Sequence, residues 1–186
     1  MKRCDWCTST EQYIEYHDTE WGVPEYDDLA LFEMLCLEGA QAGLSWITIL
    51  KKRENYRKAF DQFDPVKMAR YTDKRKEKLL QNEGIIRNKL KVKAFVNNAR
   101  AYLAVKDSGT SFSDYIWKYV DGKPIINHPK TIADVPAKTE LSDQMSKALK
   151  KDGFGFVGGT IMYAFMQASG MVNDHVTSCF RHKELS

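Results

Sequence analysis

One stretch constrains this chain more than any other. Leu29 to Gly39, LALFEMLCLEG, read as a helix, carries apolar side chains on nearly every face: Leu29, Leu31, Phe32, Met34, Leu35, Cys36 and Leu37. A helix with no solvated side belongs at the centre of a helical core. Glu38 interrupts the pattern, because its spacing from Met34 and Leu35 sets its carboxylate within the widest apolar sector. Such a group must be paired, protonated or used, and a buried Glu satisfied by an amide or an arginine is the plain alternative. Gly39, Gly43 and Ser45 then break the helix, with Ser45 placed to cap a second one from Trp46.

The rest of the chain repeats this helical grammar. Asp64-Pro65 reads as an N-cap with a first-turn proline, Thr72 opens a helix that Gly84 stops, and Lys89 to Lys106 keeps apolar residues at helical spacing. Ser111 to Val120 makes a short helix. Period-two alternation is absent, so an all-α protein is expected. The run 121–139 holds three of the five prolines and predicts a surface loop or lobe boundary. With 186 residues, 43% of them hydrophobic, the chain can build one well-buried domain or two lobes sharing a cleft. A net charge of +3 permits a polyanionic partner without requiring one. No run of 18 apolar residues appears and no apolar signal core follows Met1 to Trp6, so a soluble, cytoplasmic chain is expected.

Three constellations carry chemistry. Trp6, Tyr13, Tyr16 and Trp21 are too many aromatics for a solvated loop; they either wall a slot for a flat ligand or fill the gap left by a short segment. The four cysteines, Cys4, Cys7, Cys36 and Cys179, are too sparse for a disulfide scaffold. His175-x3-Cys179 predicts a pair on one face of a short helix capped by Asn173 or Asp174, and Cys4 with His17 would complete a closed tetrahedral zinc set. Cys7 competes with Cys4, His128 and His182 are spare candidates, and isolated thiols with surface histidines remain the alternative. Finally, a basic helix from Leu141 to Lys151 is followed by DGFGFVGGT and a second helix ended by Gly170. Backbone amides at the start of that second helix, flanked by Lys147, Lys150 and Lys151, suit a DNA phosphate; an ordinary glycine hairpin is the alternative.

Taken together, these blocks resemble the 3-methyladenine DNA glycosylase I family of the helix-hairpin-helix glycosylase superfamily. The resemblance runs through RCDW near the start, YHDTEWGVP at 16–24, LFEMLCLEGAQAGLSWITILKKRENYR at 31–57, GIIRNKLK at 84–91, SKALKKDGFGFVGGTI at 146–161 and VNDHV at 172–176. It implies a single domain over 1–186, with two helical lobes around a base-binding cleft. The hairpin element would fall at about 141–170, and a structural zinc on Cys4, His17, His175 and Cys179 would tie the termini. It implies a monofunctional enzyme that flips 3-methyladenine out of double-stranded alkylated DNA, hydrolyses the N-glycosidic bond and releases the free base. A monomer is expected. The lesion pocket would be Glu38 with Tyr16 and Trp46, bordered by Tyr13, Trp6 and Trp21, an ionised Glu38 accepting hydrogen bonds from the base.

The DNA contacts would come from Gly43 and Leu44 at the elbow, Leu44 as wedge or, alternatively, as a cap on the helix–helix core, and from Gly158, Gly159, Thr160, Lys150 and Lys151. A superfamily pattern that sets a catalytic Asp near Val-Asp-Thr-His meets Val172-Asn173-Asp174-His175 here. That shift leaves Asp174 as catalyst or as helix cap.

Overall fold

The structure, a computed structural model, describes residues 1–186. Eleven α-helices follow in order: α1 (Glu11–Thr19), α2 (Asp28–Gln41), α3 (Trp46–Leu50), α4 (Arg53–Ala59), α5 (Pro65–Met68), α6 (Asp73–Leu79), α7 (Lys89–Asp107), α8 (Phe112–Trp117), α9 (Glu140–Lys151), α10 (Gly159–Ala168) and α11 (Phe180–Glu184). None is long and apolar enough to cross a membrane.

Helix α2 is the central one. Asp27 starts it by accepting from the Leu29 and Ala30 amides at 2.9 Å, and Leu31, Phe32, Leu35, Cys36, Leu37 and Ala40 are all buried along it. It packs on α3, α7, α8 and α10. Asp28 adds a polar tie, accepting from Lys106 Nζ at 2.7 Å and the Ser113 amide at 2.8 Å. The helix does not stop at Gly39 as the sequence suggests. Gly39 lies inside it, where a side chain would come within 3.1 Å of Phe156 Cβ, so this glycine serves close packing of α2 on the α9–α10 hairpin.

Capping residues set the remaining boundaries. Asp64, Thr72, Asn88, Ser111 and Thr139 each accept from the first-turn amides of their helices. Helix α6 ends at Leu79, ahead of Gly84, whose amide bonds the Asn82 side chain. One short parallel pairing departs from pure helix: Ile125–Ile126 (β1) runs beside Val172–Asn173 (β2). It anchors the proline-bearing run 121–139 to the C-terminal segment.

The C-terminal segment also meets the N-terminus. The Phe180 amide donates to the Lys2 carbonyl at 3.0 Å, and Arg3 forks onto Asp18. Cys4, Val176 and Cys179 form a small buried cluster apart from the main core, edged by Trp6, Trp21 and Phe180.

Candidate active site

The groove between α1 and the α2–α10 pair contains two cavities set end to end along α2. The cavity toward its C-terminal end, about 200 Å³, is walled by Trp6, Tyr13, Tyr16, Trp21, Glu38, Gln41 and Trp46, together with Ile132, Val135, Ala164, Gln167 and Asp174. All six residues expected to form a base pocket therefore line one space. The other cavity, about 260 Å³, meets it at a partition of Tyr16, Glu38 and Trp46.

Each wall follows from local folding. Thr10 caps α1 through the Tyr13 amide, which turns Tyr13 and Tyr16 toward α2. Trp6, carried by a single 3-10 turn at Asp5–Cys7, packs edge-on against Tyr13 (4.9 Å between ring centroids) and Trp21 (5.0 Å). Tyr16 and Trp46 face each other at 5.5 Å with their planes 44° apart. Ser45 precedes α3 but makes no cap bond; its hydroxyl pairs with Thr48 at 2.8 Å.

Glu38 is 4% exposed, and its Oε2 has no hydrogen-bond partner; nor has the buried indole N–H of Trp46. Burial alone pushes the Glu38 carboxyl from its ordinary 4.5 up to about 8. In the cavity by itself the neutral acid is therefore favoured at pH 7, and the ionised Glu38 expected from the resemblance belongs to the state with a cationic base beside it. Burial, and then the Glu38 charge, hold the Tyr16 phenol protonated far into the alkaline range.

Asp174 is the second acid of this wall, and it does not cap a helix. Residues 174–179 are non-helical; Cys179 instead precedes α11 as its N-cap residue. The Asp174 carboxylate accepts from Asn127 Nδ2 at 2.7 Å, Tyr163 Oη at 2.6 Å and Gln167 Nε2 at 2.9 Å. Asn173 faces away, donating to the His182 carbonyl and accepting from the His175 amide.

Sequence reasoning missed Ile132, Val135, Ala164 and Gln167, whereas Gln41 belongs to the elbow expected beside the pocket. Gln167, a long amide on the otherwise apolar stretch IMYAFMQA, was the available signal. Ile132 and Val135 come from the proline-bearing run, which gave none.

Although the helix drawn for His175 and Cys179 is absent, the expected metal ligands converge. Donor atoms of Cys4, His17, His175 and Cys179 lie within 4.8 Å of one another, all four residues buried. Cys179 Sγ stands 3.5 Å from His17 Nε2 and 3.7 Å from His175 Nδ1, and Cys4 Sγ is 3.7 Å from the same Nδ1. Zinc bonds of about 2.3 Å to sulfur and about 2.05 Å to nitrogen give a tetrahedral S···N edge of about 3.6 Å, so this donor set fits zinc. The second ring nitrogens are anchored as such ligands require: His17 Nδ1 on Asp18 at 2.8 Å, His175 Nε2 on the Trp21 carbonyl at 3.1 Å. Cys7 stays outside, its thiol donating to the Cys4 carbonyl, and His128 and His182 pack on each other elsewhere.

At the DNA-facing candidates, Gln41 to Leu44 make a type II turn closed by the Leu44 amide on the Gln41 carbonyl, with Gly43 at φ +79° where that turn demands glycine. Leu44 is 39% exposed at its tip. At the hairpin, Gly158 caps α10 and Thr160 is exposed, but a side chain at Gly159 would strike Asp143 Oδ1 at 2.0 Å. A carboxylate thus stands beside the helix start proposed for a phosphate. Lys147, Lys150 and Lys151 are exposed nearby and enter none of the ion pairs, which leaves them free to meet an anion.

The helical scaffold thus presents an aromatic slot with an unsatisfied buried acid and an exposed turn beside it, a cavity of the shape and size of one flat heterocycle. The chain belongs to the methyladenine glycosylase family, whose model matches residues 6–182. It is 55% identical over 179 residues to DNA-3-methyladenine glycosylase 1 of Escherichia coli K12, covering 96% of each chain. A solved structure of 3-methyladenine DNA glycosylase I superposes with a TM-score of 0.95 at 57% identity, covering 96% of this chain and 98% of that one. The Staphylococcus aureus enzyme, solved to show how it recognises 3-methyladenine, superposes at 0.93 with 39% identity, covering 97% and 96%.

Proposed function

We propose that this chain excises 3-methyladenine from alkylated double-stranded DNA, acting as a monomer and opening base excision repair. One observation carries the reading: a buried carboxyl with an unpartnered oxygen sits in an aromatic cavity sized for one base. Methylation at N3 gives adenine a positive charge and weakens its glycosidic bond, so little general-acid help is needed. The extruded base meets Glu38, and its charge stabilises the carboxylate that burial alone disfavours. Tyr16, kept as phenol, offers a hydroxyl, and Trp46 offers a face to an electron-poor ring. A normal adenine brings no charge and leaves the acid unpaired, which is the source of selectivity. Glu38 contributes about 2–3 kcal/mol as a desolvated charge-assisted partner.

Water then captures the sugar carbon. No lysine lines the cavity, and Gly158, Gly159 and Thr160 stand where a Schiff-base lysine is found in bifunctional relatives, so the abasic strand stays intact. Asp174, oriented by three donors, adds a fixed acceptor to the same wall. In this reading α9, the glycine loop and α10 form a helix-hairpin-helix element, with Lys150 and Lys151 neutralising backbone phosphate, and Leu44 fills the gap left by the flipped base. A zinc ion on Cys4, His17, His175 and Cys179 would be structural, since four protein ligands leave no open position.

The test is chromatography of bases released from methylated duplex DNA, with Glu38→Gln alongside. Free 3-methyladenine without strand breaks before alkali, and a strongly reduced yield from the variant, are the expected results. A folded, DNA-binding sample that releases nothing would leave a non-catalytic binding module.

A further inference from the structure

Lys91 is a buried cation that the chemistry above does not use. It is 7% exposed, on the first turn of α7, and burial lowers its affinity for a proton. Its ammonium donates to the Ala40 carbonyl and to the Ala42 carbonyl, both at 2.7 Å. Those two acceptors need a partner for separate reasons. Ala40 lies in the last turn of α2, where carbonyls have no intrahelical donor. The Ala42 carbonyl belongs to the central peptide of the type II turn, which the turn itself leaves unbonded. One side chain from a different helix therefore closes the end of α2 and grips the turn that carries Leu44.

We propose that Lys91 is a positioning residue for the base-flipping turn: its ammonium, clamped on the Ala40 and Ala42 carbonyls, holds the Gln41–Leu44 turn rigid so that Leu44 can enter the duplex. The inference rests on Leu44 being the wedge. A wedge that displaces a stacked base must not yield when loaded, and a glycine-bearing turn with orphaned carbonyls would otherwise flex. Lysine suits the task because a compact ammonium carries three donors and reaches two diverging carbonyls.

The experiment compares wild type with Lys91→Met, Lys91→Arg and Leu44→Ala in single-turnover excision from methylated duplex DNA. Affinity for free 3-methyladenine and the melting temperature are measured on the same samples. Lys91→Met is expected to slow duplex excision by about tenfold or more while free-base affinity stays within about threefold, the signature of an interaction needed only on the way to the transition state. Lys91→Arg, which restores two donors, recovers most of the rate. Excision by Lys91→Met at the wild-type rate overturns the inference, as does a parallel fall in excision and free-base affinity, which would mark Lys91 as packing alone. A Leu44→Ala variant as fast as wild type overturns the wedge itself, and this inference with it.

Discussion

Glu38 shows what a single residue contributes and what it costs. Its carboxyl is neutral-favouring in the fold and ionises near pH 8 instead of 4.5. Between those values the unfolded chain has already lost the proton that the folded chain keeps, so stability falls as pH rises through that window, by at most about 1.4 kcal/mol per pH unit. Glu38→Gln removes the dependence. Denaturant titrations should find the variant close to wild type at pH 4.5 and progressively the more stable toward pH 8; a constant difference across that range would mean that Glu38 is paired. This residue was legible in the sequence because a charge in an all-round apolar helix has few explanations. Its protonation state was not, since that depends on the absence of any cation or donor near Oε2, which only the packed structure reveals.

At the scale of elements, periodicity and capping residues located the helices well, and their ends less well. Gly39 looked like a helix breaker but is a contact surface for Phe156, a distinction that requires knowing what packs on α2. Spacing places His175 and Cys179 on one helical face; the segment is irregular, and β2 and the N-cap of α11 bring them together instead. Spacing alone cannot separate those routes to the same proximity. The run 121–139 reads as a surface loop or lobe boundary; it is a loop that also supplies Ile132 and Val135 to the cavity wall, held by the β1–β2 pairing. A loop carries no period, so its side chains acquire a direction only from the partner that it pairs with.

Across the whole molecule, the two ends of the chain are brought together at the Cys4, His17, His175 and Cys179 cluster, next to Trp6 and Trp21 of the cavity wall. A metal bound there would tie the termini and support that wall together. Metal analysis of the native protein should give one zinc per chain. Cys179→Ser should lose the metal and lower Tm, by about 2–4 °C for each kcal/mol the metal contributes in a chain of this size. Native protein free of metal, and a Cys179→Ser variant that melts with the wild type, would leave the cluster as mere packing. The family resemblance singled out the four residues that converge here, where spacing alone left Cys7, His128 and His182 in contention.

Recognition turns on Glu38 reading the alkylated base itself, apart from any contact to DNA, and the most direct measurement is equilibrium binding of free 3-methyladenine followed by the fluorescence of the cavity tryptophans. Wild type should bind it and discriminate strongly against adenine. Glu38→Gln should weaken the binding by about 30- to 150-fold, the equivalent of 2–3 kcal/mol. Equal affinity in wild type and variant, with both folded, would contradict the account.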